Sequence, residues 1–151
     1  MSAREVTLPE RYQGGRGLVM GGAVGGLILV GIFLSRGGLQ TGREHRFPRP
    51  LPFAHALLAV ASLVLFLIWW ANGSDALKPI VLVGLLLTAV LGIWMFVLWL
   101  GKLRVRLSPS VGAATTRPAE DSFPTVLVAL HGILAVSTLV LYIVAAFIVA
   151  S

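Results

Sequence analysis

The sequence predicts an all-α integral membrane protein, a four-helix bundle of transmembrane helices built from a parallel two-helix repeat. Three observations carry that expectation. First, the chain is 57% hydrophobic and only 12% charged, against roughly 25% charged residues in soluble domains, and its mean hydropathy is +0.92. Second, its apolar residues gather into four stretches near the ~20 residues that cross a bilayer core. Third, one stretch repeats: His55-Ala-Leu-Leu-Ala-Val-Ala-Ser-Leu-Val-Leu-Phe-Leu-Ile68 recurs as His131-Gly-Ile-Leu-Ala-Val-Ser-Thr-Leu-Val-Leu-Tyr-Ile-Val144, with seven of fourteen positions identical and the rest conservative. At 151 residues there is room for one domain.

Residues 1–17 form a polar N-terminal tail with Arg4, Arg11 and Arg16 against Glu5 and Glu10, and residues 18–151 form the membrane domain. The first span covers 18–34. Basic residues precede it as in a signal peptide, but Ser35-Arg-Gly-Gly38 follows it without an Ala-x-Ala-like cleavage site, so it reads as a retained helix. Residues 35–51 form a loop rich in Gly, Pro and Arg, and 52–71 the second span, ending in Trp69-Trp70. A turn at Asn72-Gly-Ser-Asp75 leads to the third span over 79–100, then a longer polar loop at 101–122 and a fourth span at 123–150. Backbone groups in lipid must bond within their own segment, so the spans are helices. Pro52 and Pro124 mark starts for the second and fourth, since proline suits a first helical turn. Those starts would put His55 three residues in and His131 seven, a depth difference of ~6 Å at ~1.5 Å per residue.

Orientation follows from the basic residues. Arg36, Arg43, Arg46 and Arg49 in one loop and Lys102, Arg104, Arg106 and Arg117 in the other make eight, against four (Arg4, Arg11, Arg16 and Lys78) on the opposite side. The positive-inside rule puts both long loops in the cytoplasm and both termini outside, the periplasmic side of a bacterial inner membrane. Trp69 and Trp70 then suit an outer aromatic belt and Trp99 an inner one, while Trp94 lies deeper. The net charge of +6 is spread over these loops, where it sets topology and meets lipid headgroups, so it is no footprint for nucleic acid.

An ionisable side chain within a span is a functional candidate, and the repeat supplies two at matching positions, His55 and His131. A haem b iron takes two axial imidazoles, and neutral imidazole nitrogen is a good iron ligand. The flat macrocycle needs neighbours with little side chain. Gly31 and Gly92 lie at a similar depth on helices one and three, Ala56 and Gly132 follow the histidines, and Ala59 and Ala135 lie a turn beyond. Arg46, Arg49, Arg104 and Arg106 offer charge-assisted bonds to haem propionates. Leu29-Val-Gly-Ile-Phe33 lines up with Val90-Leu-Gly-Ile-Trp94 as a weak echo between helices one and three. Gly21, Gly22, Gly25 and Gly26 form overlapping small-xxx-small pairs, expected as a helix-packing face in the outer half, away from the histidines. Ser62, Thr88, Ser137 and Thr138 are expected to bond their own helix backbone, and His45 to be solvated. Helices two and four are expected to adjoin, with their histidines turned inward.

The arrangement resembles small four-helix b-type cytochromes and the haem-bearing membrane anchors of respiratory complexes, in helix number and in one histidine on each of two helices. That resemblance implies an electron-transfer subunit with one haem b held by His55 and His131, working beside other membrane protein subunits. Two alternatives share the sequence: a cofactor-free accessory subunit on the rim of a larger respiratory or photosynthetic complex, and a quinone-site protein in which a histidine bonds a quinone carbonyl. Other classes fit poorly. With no cysteine there is no disulfide, thiolate ligation or iron–sulfur cluster. The spans hold no carboxylate for proton pumping and no third histidine for a copper or di-iron centre. No nucleotide-binding glycine loop follows a strand, and no Ser/His/Asp set is present, so an independent enzyme is not expected.

Overall fold

The structure, a computed structural model, describes residues 13–40, 47–106 and 119–149. All regular structure among them is helical: α1 (Gln13–Ser35), α2 (Pro50–Asn72), α3 (Leu77–Arg106), the short 3-10 helix α4 (Ala119–Ser122), and α5 (Thr125–Ile143), which widens into π geometry over Val144–Val149. Four of these are long and apolar enough to cross a membrane, with candidate spans of 19, 23, 25 and 24 residues. Most large apolar side chains on them face outward, as they do in a protein solvated by lipid. The spans correspond to the four apolar stretches, with shifted ends: α1 begins before residue 18, and α3 runs on to Arg106. Arg104 and Arg106 therefore lie on a helical extension, not in a loop. Arg46 lies outside the described residues.

Local chemistry explains the helix ends. α1 stops in a Schellman motif: Gly37 takes φ +82°, its N–H donates to the Leu34 carbonyl (3.1 Å), and the Gly38 N–H donates to the Phe33 carbonyl (2.9 Å). α2 opens on Pro50, with Pro52 in its first turn, where a missing N–H removes no helical bond. It closes at Gly73, φ +65°, whose N–H donates to the Trp69 carbonyl (2.8 Å). The Asn72 side-chain oxygen accepts from the Ser74 N–H (3.1 Å), tightening the turn into α3. Pro124 is the extended residue before α5.

α2 packs along α3, and α1 along α5, while the contacts between these two pairs are sparser. Helices α2 and α5, which carry the histidines, were expected to adjoin. Instead each packs against another partner, and only their side chains meet across the middle. Close approach of backbones decides the partners. Cβ atoms added at Gly21 and Gly22 would meet Leu134 on α5, and one at Gly84 on α3 would sit 2.6 Å from the Ser62 hydroxyl of α2. The small-residue face of α1 is thus a packing face within this chain.

Aromatic clusters close the two ends. At the end with the long connections, Phe33, Phe47, Trp99, Ala119 and Phe123 are buried together. Glu120, fully buried there, accepts a bond from the Phe47 N–H (3.3 Å) and ties the two connections. At the end with the short turn, Phe66, Trp69, Val81, Tyr142 and Ala146 pack together, and the Tyr142 hydroxyl donates to the Lys78 carbonyl (2.8 Å). Trp69 and Trp99 are therefore buried in these clusters, 8% and 3% exposed, and do not face outward from the helices. Burial among aromatic neighbours outweighs the preference of the indole for the interface. Trp94 is half exposed on the outer face of α3.

Candidate functional site

His55 is the sixth residue of α2 and His131 the seventh of α5. The depth mismatch inferred from Pro52 and Pro124 therefore shrinks to about one residue, or ~1.5 Å. The reason lies upstream. A shift of 76 positions carries His55 onto His131 and also Phe47-Pro48 onto Phe123-Pro124, so the same Phe-Pro pair precedes each histidine by the same interval. The same shift carries Ser62 onto Thr138 and Phe66 onto Tyr142.

The two imidazoles meet between the helix pairs with ring centroids 6.4 Å apart and planes at 78°. Each is half-buried and is held by the helix beside its own. His55 Nδ1 lies 3.1 Å from the Thr88 carbonyl of α3, and His131 Nδ1 lies 3.0 Å from the Gly22 carbonyl of α1. A carbonyl oxygen only accepts, so each Nδ1 carries the proton and donates it. Each neutral ring then has its lone pair on Nε2. Among the described residues, neither Nε2 accepts a hydrogen bond.

A glycine stands one helical turn beyond each accepting carbonyl. A Cβ on Gly92 would lie 3.1 Å from His55 Cε1, and one on Gly26 would lie 3.1 Å from His131 Cε1. In a helix, the side chain at i+4 lies next to the carbonyl of residue i. Glycine there leaves the carbonyl open for the imidazole. The two niches correspond under a shift of 66 positions, which carries Gly22-Ala-Val-Gly-Gly26 onto Thr88-Ala-Val-Leu-Gly92, Phe33 onto Trp99, and Leu34 onto Leu100. This shift is ten less than the one relating the histidine helices, because the second long connection is longer. Alignment of Gly31 with Gly92 missed it.

Several sequence expectations therefore move. Gly92 lies against His55 as expected. Gly31 is exposed with open space around it, and the glycine at the second histidine is Gly26. Gly25 and Gly26 were placed away from the histidines, yet both touch His131. Gly132 follows His131 in sequence but points into open space, because neighbours in a helix face different directions. Thr88 and Thr138 bond their own backbones, to the Gly84 and Leu134 carbonyls (both 2.8 Å). Ser62 instead approaches Thr88 Oγ1 on the facing helix (3.5 Å). Arg49 is exposed at the start of α2. The side chains of Arg104 and Arg106 lie outside the described residues, as does His45. The site groups that sequence reasoning did not assign are the accepting carbonyls of Gly22 and Thr88, for which the repeated Ala-Val-x-Gly pattern was the available signal.

The ring separation leaves room for one atom to take a nitrogen from each imidazole. An iron between them, with bonds of about 2 Å, would separate the ring centroids by roughly 6 Å, close to the observed 6.4 Å. Fixing the second ring nitrogen on a backbone carbonyl is the usual way a protein orients a ligating imidazole. Two histidines alone make a poor cage for a bare metal ion, and the described residues contain no group of three or more metal-ligating side chains. Comparison of the chain with protein-family models, with curated proteins and with solved structures returns no match.

Proposed function

We propose that this chain is a small integral membrane electron-transfer subunit carrying one haem b, with His55 and His131 as its axial ligands. The observation that supports this most is the pair of Nδ1-to-carbonyl bonds, which leaves two Nε2 lone pairs on rings 6.4 Å apart between two helix pairs. An Nε2 lone pair inside an apolar bundle is favourable when it meets a donor or an electrophile, and iron in a macrocycle is such an electrophile. Such a group supplies reversible one-electron transfer when bound. The rest is done by the protein. The carbonyls of Thr88 and Gly22 hold the rings in one tautomer and make them better donors. The apolar helix pairs keep the centre at low dielectric. Arg49, Arg104 and Arg106 belong to segments at the end with the long connections, and together with Arg46 of the first connection they are the candidates for pairing propionates.

The same reading includes a parallel repeat of α1–α2 and α3–α5 about an axis along the membrane normal. It also includes cytoplasmic long connections in a bacterial inner membrane, supported by the distribution of Lys and Arg. One haem toward one face does not by itself carry electrons across a bilayer, so the reading entails a redox partner subunit or a quinone nearby.

The test is the difference spectrum, dithionite-reduced minus oxidised, of the protein purified from its native membrane. A b-type spectrum is expected, and it should be lost in both His55→Ala and His131→Ala while each protein stays in the membrane. No haem in the wild-type protein, or haem retained in both variants, defeats the proposal. Co-purification with other subunits but no haem would favour the accessory-subunit reading. Recovery of bound quinone without haem would favour the quinone-site reading.

A further inference from the structure

On the haem reading above, we infer that the carbonyl–glycine pairs Gly22/Gly26 and Thr88/Gly92 are the positioning elements that hold the two axial imidazoles with their planes nearly perpendicular.

The geometry of the two niches leads to this. Each ring is fixed at two points on a helix other than its own: Nδ1 on a carbonyl, and the Cε1 edge over a glycine. Two points on a planar ring leave little freedom to rotate about the axis through Nε2. The niches lie on different helices, α1 and α3, so neither ring sets its angle from the other. The result is an angle of 78° between the planes. Neither niche depends on a side-chain atom that could swing away, because the acceptor is backbone and the glycine adds no side chain. His131 is gripped the more closely, with Gly25 also within contact distance.

Ligand plane angle has an electronic consequence. In low-spin ferric haem the unpaired electron occupies the iron dπ pair, and each imidazole raises the dπ orbital perpendicular to its own plane. Parallel planes raise the same orbital and split the pair, whereas perpendicular planes raise both and leave them nearly degenerate. Near-degeneracy gives a strongly anisotropic electron paramagnetic resonance signal, its largest g value displaced to low field. The carbonyl bonds act on the same centre. By increasing electron donation from the rings, they favour the ferric state and lower the midpoint potential.

The experiment is low-temperature electron paramagnetic resonance and redox titration of the haem-loaded full chain in detergent. Wild-type protein should give the strongly anisotropic low-spin signal. Gly26→Ala and Gly92→Ala each put a methyl group 3.1 Å from a Cε1 atom. Each should turn a ring, shift the largest g value and raise the midpoint potential, with Gly26→Ala having the larger effect. Gly31→Ala and Gly101→Ala, whose added Cβ atoms meet nothing within 4 Å, should leave signal and potential unchanged. An ordinary rhombic signal from haem-loaded wild-type protein overturns the inference while leaving the haem reading intact. So does identity of both niche variants with wild type. Wild-type protein without haem overturns both. If the niche variants fail to assemble, the wild-type signal still decides.

Discussion

Gly38→Ala isolates the packing of one helix end from any question of cofactor. A Cβ at Gly38 would fall 2.5 Å from Cε1 and Cζ of Phe33 and 2.6 Å from Cδ1. Ordinary contact begins near 3.4 Å, so the ring or the turn must yield by about 1 Å. Phe33 has little room. It is 5% exposed, clustered with Phe47, Trp99 and Phe123, and edge-on to Phe53 at 6.4 Å. Overpacking of this kind costs about 1–3 kcal/mol. The Gly37 and Gly38 bonds that close α1 would be strained with it. Against this, alanine restricts the unfolded chain and returns roughly 0.4–1 kcal/mol. The packing penalty wins, for a net destabilisation of about 1–2 kcal/mol. Reversible unfolding in mixed micelles, by titration with a denaturing detergent and circular dichroism, measures it. Phe33→Leu removes the offending ring atoms and should offset most of the penalty. The double variant should then be more stable than the sum of the singles by about 1 kcal/mol. Wild-type stability in Gly38→Ala, or strict additivity with Phe33→Leu, would refute the reasoning.

Other outcomes follow from single contacts and from the loops. Tyr142→Phe deletes the hydroxyl that donates to the Lys78 carbonyl (2.8 Å) and should lower stability by about 1 kcal/mol in the same titration; no change would mean the bond contributes nothing net. For orientation, single cysteines in place of Ala76 and Gly112 should differ toward an impermeant maleimide added to intact cells. Label at 76 and not at 112 is expected, and the reverse pattern reverses the topology.

Apolar runs revealed the four helices because membrane insertion depends on summed hydropathy, a property local to each segment. His-x-x-Leu-Ala-Val revealed the two histidines for the same reason. Helix partners are a different matter. Every span is apolar on all sides, so no hydrophobic face announces its neighbour, and association depends on where backbones approach closely. The glycines of α1 announced a tight contact but not that His131 would fill it. Gly31 and Gly26 look equivalent as letters; only the direction each faces separates them. Trp69 and Trp99 misled because an indole near a span end satisfies belt and core equally well until its neighbours are known. The correspondence between α1 and α3 was legible in Ala-Val-x-Gly, but the longer second connection shifted its register against that of the histidine helices.

The pairing of α1 with α5 bears on how the protein is made. Helices α2 and α3 are joined by a short turn and can pair as soon as both leave the ribosome. The partner of α1 arrives after both of them: Gly22 and His131, which must join, are 109 residues apart. At about 5–20 residues per second, α1 waits roughly 5 to 20 s in the membrane before its mate is synthesised. For that time its glycine face is open to lipid, to the insertion machinery or to another nascent chain. Completion of the histidine pair therefore cannot precede the synthesis of α5.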